Sequence, residues 1–177
     1  MFVCACLGNP GKKYIKNRHN IGFMLGNYLA GRYGIATGSS SFSSVSGRGS
    51  VDGRDLFLIM PQTYMNNSGG PVRAALDYYK VAPERLIVVH DEIELPFGQY
   101  RLKFGGGHKG HNGIRSIMQE LGTADFHRVR FGVGRPDNPE IAVADHVLSN
   151  FTEEEMAGID ALFPAVTELL ITVMNSE

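Results

Sequence analysis

Tryptophan is absent from this chain, and cysteine occurs only twice, at Cys4 and Cys6. Two cysteines spaced C-x-C in an apolar run fall on one face of a strand, where they are poorly placed to bridge. No second cysteine pair completes a zinc site. A disulfide scaffold and a zinc ribbon are therefore excluded, and two buried, reduced thiols in a cytoplasmic protein are expected. An excess of charge of one sign is also lacking: 17 Lys and Arg stand against 18 Asp and Glu, for a net charge of −1. The field of the whole molecule thus has no general attraction for nucleic acid, and any such binding must come from a local patch. Lys12, Lys13, Lys16 and Arg18 form one candidate patch; Arg101, Lys103 and Lys109 form another. Scattered basic residues also serve simply as a solvated face. The sequence pattern has no apolar run long enough to span a bilayer, and its start lacks the basic-then-apolar pattern of a secretory leader. No membrane association is expected.

Glycine, by contrast, is plentiful, with 22 residues. It is densest in Phe104 to Gly113, F-G-G-G-H-K-G-H-N-G. Such a loop buries little apolar surface and costs entropy to order, but it lets backbone approach a ligand closely. A flexible surface connection is the plainer reading of the loop taken alone.

The chain's 177 residues suit one domain with a sizeable core, spanning 1–177. Phe2 to Leu7 reads as a buried strand stopped by Gly8-Asn9-Pro10-Gly11. Ile21, Met24, Leu25, Tyr28 and Leu29 recur at helical spacing. Thr37 to Ser50 is Ser/Gly-rich and reads as a loop leading into a strand; Asp52-Gly53 is a hairpin turn, with a return strand at Leu56 to Met60. Ser68 is placed to cap a helix with the stripe Val72, Ala75, Leu76 and Tyr79. Strands follow at Leu86 to Val89 and Gln99 to Phe104, then a helix with Ile114, Ile117, Met118 and Leu121, and a strand with Val129, Phe131 and Val133. Thr152 and Glu155 form a capping box that opens a long helix, bent near Pro164. This alternation predicts an α/β fold: a twisted mixed sheet with helices on both faces.

In open α/β sheets, ligands bind beyond the carboxyl ends of the parallel strands. Asn9, Asn66 and Asp91 each follow a strand, while His19 and Asn112 stand at helix entrances. A histidine titrates near neutral pH and serves as a general base. Asp91 is suited to hold its ring and stabilise the cation formed when water is deprotonated. Asparagine amides suit a developing oxyanion. No serine or cysteine stands out as a nucleophile, so direct attack by activated water is the simplest chemistry. Each residue has a structural alternative: His19 as a core histidine, Asn9 in an Asx-turn, Asp91 and Glu92 as ordinary strand-end carboxylates. His108 and His111 have metal-ligand spacing, but a third ligand is not evident, and no metal is expected. The residues by themselves indicate a hydrolase or an RNA- or phosphate-binding protein.

Taken in order, the motifs resemble bacterial peptidyl-tRNA hydrolases. They are Leu7-Gly8-Asn9-Pro10-Gly11 with Tyr14 and Arg18-His19-Asn20-Ile21-Gly22, and Pro61-Gln62-Thr63-Tyr64-Met65-Asn66-Asn67-Ser68-Gly69. His90-Asp91-Glu92-Ile93-Glu94-Leu95-Pro96 and Gly105 to Gly113 follow, then Phe126 to Gly134. The resemblance covers about residues 3 to 150, and four ordered motifs are far more specific than any one. It implies an esterase that frees tRNA from peptidyl-tRNA released by stalled ribosomes, acting as a cytoplasmic monomer without metal or organic cofactor. By the same resemblance, His19 is the base, Asp91 its orienting partner, and Asn9 supports water and substrate. Tyr14, Met65, Asn66, His111 and Asn112 bind substrate, and Arg101, Lys103 and Arg130 lie on the side that receives the tRNA acceptor region. Cys6 stands where the family commonly has glycine. Asn67 stands where it often has an apolar residue, so Asn66 is the carry-over. Many members continue beyond the position of Glu177, which bears on tRNA contacts and not on the ester chemistry. An RNA-binding relative without hydrolysis is the alternative, and the presence of Asn9, His19, Asn66, Asp91 and Asn112 speaks against it.

Overall fold

The computed structural model describes residues 1–177. Its centre is a seven-stranded sheet in the order β2-β3-β4-β1-β5-β7-β6. The strands are β1 (Phe2–Cys6), β2 (Gly38–Ser41), β3 (Ser44–Val51), β4 (Arg54–Pro61), β5 (Leu86–Glu92), β6 (Tyr100–Phe104) and β7 (His127–Gly132). The helices are α1 (Ile21–Arg32), α2 (Gly69–Tyr79), α3 (Asn112–Leu121), α4 (Val143–Val147) and α5 (Glu153–Asn175). The neighbours β4, β1, β5 and β7 run parallel, whereas β2, β3 and β6 pair antiparallel at the two edges. The sheet is mixed, as expected.

Strands β1 and β5 are buried along their whole length, which explains their near-continuous apolar reading. Their alternate side chains feed two cores. Cys4, Cys6, Ile87, Val89, Val129 and Phe131 pack with residues of α1 and α5 on one face. Val3, Ala5, Val88 and Phe57 pack with residues of α2 and α3 on the other. The two cysteines are free thiols on the same face, with sulfurs 3.8 Å apart. Their contact and their burial push the Cys6 thiol well above its usual pKa.

Several local expectations are corrected. The Ser/Gly-rich stretch read as a loop leading into a strand forms β2 and most of β3, because pairing of β3 to β4 and of β2 to β3 imposes a ladder that side-chain pattern does not announce. Ser68 does not cap α2 with its side chain; its hydroxyl donates to the Met65 carbonyl at 2.8 Å. The capping box at Thr152 and Glu155 forms, and α5 continues through Pro164 without interruption. By length and composition α5 could cross a bilayer, contrary to the sequence reading. Its stripe of Ile159, Phe163, Val166, Leu170 and Val173 is instead buried in the core. The short helix α4 was not foreseen.

Two glycines set how the helices enter the site. A Cβ on Gly22 would lie 2.5 Å from the Leu7 backbone and 2.7 Å from the Val89 carbonyl, so α1 begins directly against β1 and β5. A Cβ on Gly113 would lie 2.6 Å from Met65 Sδ and 2.8 Å from Leu7 Cδ1, so α3 begins against the end of β1. These approaches bring the starts of both helices to the carboxyl end of the parallel strands.

Candidate active site

The connection from β1 to β4 passes over the α1 face and that from β4 to β5 over the α2 face, which opens a crevice around the end of β1. A cavity of about 660 Å³ lies there, a size typical of ligand sites. Its lining brings together Asn9, Tyr14, His19, Met65, Asn66, Asp91, His111 and Asn112, each of the catalytic and substrate-binding candidates.

His19 sits in a 3-10 turn, Arg18–Asn20, that runs into α1. Its Nδ1 lies 2.8 Å from Asp91 Oδ2 and 2.9 Å from Oδ1, at the buried end of β5. The carboxylate accepts the Nδ1 proton, which leaves Nε2 as the basic nitrogen. Burial alone would lower the imidazole pKa; the charge of Asp91 and its hydrogen bond outweigh burial and raise it above 6.5. Burial would conversely raise the Asp91 carboxyl, but His19 and His111 hold it well below the ordinary carboxylate range.

Asn9 is held from three sides. Its backbone N–H donates to Asn20 Oδ1 at 2.9 Å, its carbonyl accepts from Asn20 Nδ2 at 2.9 Å, and its side-chain Oδ1 accepts the Met65 N–H at 2.7 Å. The Asn9 side chain thereby ties the end of β1 to the turn after β4, leaving its amide NH2 for other partners. Asn66 and Asn112 are exposed in the cavity.

His111 caps α3. Its Nδ1 accepts from the N–H groups of Gly113 at 3.1 Å and Ile114 at 3.2 Å, and its Nε2 lies 2.8 Å from Asp91 Oδ1. The ligand-capable atoms of His19, Asp91 and His111 lie within 4.8 Å of one another, a cluster that spacing along the chain did not reveal. His108, which has metal-ligand spacing to His111, does not join this cluster; its Nδ1 accepts the Gly110 N–H at 2.9 Å. The donor chemistry favours a hydrogen-bonded triad over a metal centre. With its Nδ1 lone pair engaged by two N–H groups, His111 carries its proton on Nε2, where a metal would have to bind.

On the outer edge, cross-strand pairing sets Arg101 opposite Arg130 and Lys103 opposite Arg128 on one face of β6 and β7. Arg130 also meets Glu92 at 3.4 Å. Lys103 has its pKa lowered, by partial desolvation first and then by Lys109, Arg130 and Arg128, as expected in a positive patch. Arg18 leaves the other proposed basic patch: it is buried and donates to Ser149 Oγ, the Asn150 carbonyl and Glu155.

Sequence reasoning missed Asn20, although it stands in the quoted Arg18-His19-Asn20 motif. It also missed Arg128, whose guanidinium donates to the carbonyls of Gly106 at 2.6 Å and Gly107 at 2.7 Å and so fastens the glycine-rich loop. The apolar wall of Val143, Ala144, Val147 and Leu148 carried no signal, because α4 is too short to show periodicity. His90 is a further lining residue, with burial first and then His111 bringing its pKa down to about 3.

The family model described as peptidyl-tRNA hydrolase matches residues 3–177. The chain is 50% identical over 164 residues to a peptidyl-tRNA hydrolase of Geobacter metallireducens, covering 93% of this chain and 84% of the relative. It is 46% identical over 160 residues to that of Bacillus subtilis, covering 90% and 85%. It superposes on the crystal structure of peptidyl-tRNA hydrolase from Acinetobacter baumannii with a TM-score of 0.85 at 38% identity, over 99% of this chain and 93% of that one. Agreement in sequence along nearly the whole chain, and in three dimensions, means that the chain belongs to the peptidyl-tRNA hydrolase family.

Proposed function

We propose that this protein hydrolyses the ester joining a peptide, or an N-blocked amino acid, to the 3′ end of tRNA, with His19 as the base that activates water. The observation that carries the reading is the buried His19–Asp91 pair, which leaves Nε2 basic at the cavity. Nε2 takes a proton from water as the water oxygen bonds to the ester carbonyl carbon. The amides of Asn66 and Asn112 donate to the oxyanion, and the Asn9 amide holds water or substrate. As the tetrahedral intermediate collapses, the carbon–oxygen bond to the ribose breaks. The His19 imidazolium returns its proton to the departing oxygen. Asp91 steadies the cation between the two steps. Tyr14, Met65 and His111 border the bound ester.

Arg101, Lys103 and Arg130 receive the phosphates of the tRNA acceptor region. Residues 1–177 act as a single catalytic domain and as a monomer, in the cytoplasm, where tRNA is recycled from stalled translation. Incubation with an N-blocked aminoacyl-tRNA tests the reading: release of the blocked amino acid and free tRNA is the expected result. An intact ester after prolonged incubation would refute it.

A further inference from the structure

We propose that His111 is a positioning residue for the catalytic pair: it closes the glycine-rich loop onto Asp91 in one fixed tautomer and holds the carboxylate that orients His19. The inference rests on the assignment of His19 as base and adds a second donor to its partner.

The ring of His111 spans two structures at once. Its Nδ1 accepts two N–H groups from the first turn of α3, and its Nε2 reaches Asp91 Oδ1 at 2.8 Å. Two converging donors require a lone pair on Nδ1, so the proton is on Nε2 and points at the carboxylate. The Asp91 side chain is 2% exposed, with no Lys or Arg bonded to it. A buried carboxylate in that position needs hydrogen-bond donors, and His19 and His111 provide them. The share of negative charge drawn toward His111 is unavailable to the His19 imidazolium. His111 therefore moderates the basicity of His19 as well as fixing Asp91.

The same ring links the site to the loop. Gly105, Gly106, Lys109 and Gly110 all have positive φ, and Arg128 grips the carbonyls of Gly106 and Gly107. The His111 N–H donates to the His108 carbonyl at 2.9 Å. A loop in another conformation would withdraw one donor from Asp91. The other ionisable groups facing this cluster are His90 and Glu92 from β5, Tyr14 from the first turn, His108 and Lys109 from the loop, and Arg135 beyond β7. All of them remain in variants at position 111.

Two substitutions separate the cap from the clamp. His111→Asn keeps an acceptor at the δ position, where the cap needs it, and loses the donor at the ε position. His111→Gln can place a donor at the ε position and loses the δ acceptor. For His111→Asn we expect a near-wild-type melting temperature, an NMR titration of His19 displaced to higher pH, and an acidic limb of kcat displaced with it. Its kcat should fall about tenfold, as for loss of one hydrogen bond to a charged acceptor, with a smaller change in KM. For His111→Gln we expect a lower melting temperature and a His19 titration close to wild type. The imidazole ¹⁵N shifts of wild-type His111 should report an unprotonated Nδ1 and a protonated Nε2. An unchanged His19 titration with unchanged kcat in His111→Asn would reduce His111 to a helix cap. A change in KM alone would make it a substrate contact, and a protonated Nδ1 would overturn the tautomer. The titrations need no substrate, so an inactive wild-type protein would overturn the esterase reading and leave this test intact.

Discussion

Asn9 and Met65, from loops that follow two neighbouring parallel strands, are joined by a 2.7 Å hydrogen bond from the Met65 backbone N–H to the Asn9 side-chain carbonyl. The bond fixes the turn that carries Asn66. It also orients the Asn9 amide, since one end of that group is already committed.

The effect of Asn9→Ala should therefore be double. The buried Met65 N–H loses its acceptor, a cost of about 1–3 kcal/mol that thermal unfolding should register. Ester cleavage should fall as well, because the turn bearing Asn66 loosens. A variant as stable as wild type would show that the Asn9–Met65 bond contributes nothing to the fold.

Removal of the proposed base should be more selective. His19→Ala should lower the rate of ester cleavage by about 10²–10⁴-fold while tRNA binding persists. Turnover within a few-fold of wild type, with an N-blocked aminoacyl-tRNA as substrate, would reject His19 as the base.

The pKa directions of the His19–Asp91 pair give signed expectations. Asp91 raises the His19 pKa, so Asp91→Asn should lower activity and move the acidic limb of the pH–rate profile to lower pH. This is opposite to the shift expected for His111→Asn. For stability, the raised His19 contributes most below pH 6.5, and that contribution is lost as pH rises through its folded-state value. The depressed Asp91 contributes above 3.8, and its part is lost as pH falls through its folded-state value. Melting temperatures of wild type and Asp91→Asn should differ most between pH 6.5 and 3.8, and converge only as pH falls below 3.8 if Asp91 is the linked group.

Substrate grip is tested through salt. Lys103→Ala should weaken tRNA binding, reduce the slope of log affinity against log salt by about one unit, and leave turnover at saturation nearly unchanged. Parallel salt plots with equal affinity would remove Lys103 from the tRNA surface and leave it as a solvating residue of the edge strand β6.

Arg128 offers a test of loop order. Arg128→Met keeps an apolar stem but frees the carbonyls of Gly106 and Gly107. The expected result is faster proteolysis between Gly105 and Gly110 and a lower kcat. An equally protected loop would show that the guanidinium does not hold it.

Much of this protein was legible in residue order, for identifiable reasons. The buried run of β1, the Thr152–Glu155 box and the stripe of α5 are local patterns whose physics acts within a few residues. The motif around His19 could be read because its residue order and spacing match those of the family. The strand β2 and the early start of β3 could not, since their backbone pairing is dictated by the neighbouring strand and not by their own side chains; only the hairpin at Asp52-Gly53 announced that a strand precedes β4.

The sequence by itself determined the family, the alternation of strands and helices, and the residue types available for ester chemistry. Tertiary structure alone decided which of them meet. His19 and Asp91 lie 72 residues apart, and His111 lies 20 beyond Asp91; only the parallel pairing of β1 with β5 and the close starts of α1 and α3 bring the two imidazole rings and the carboxylate together. It likewise placed Arg18 in a buried latch instead of a basic surface, and set His111 rather than His108 beside the carboxylate. Such choices depend on distance and on which hydrogen-bond partners are already engaged, and these exist only once the chain is folded.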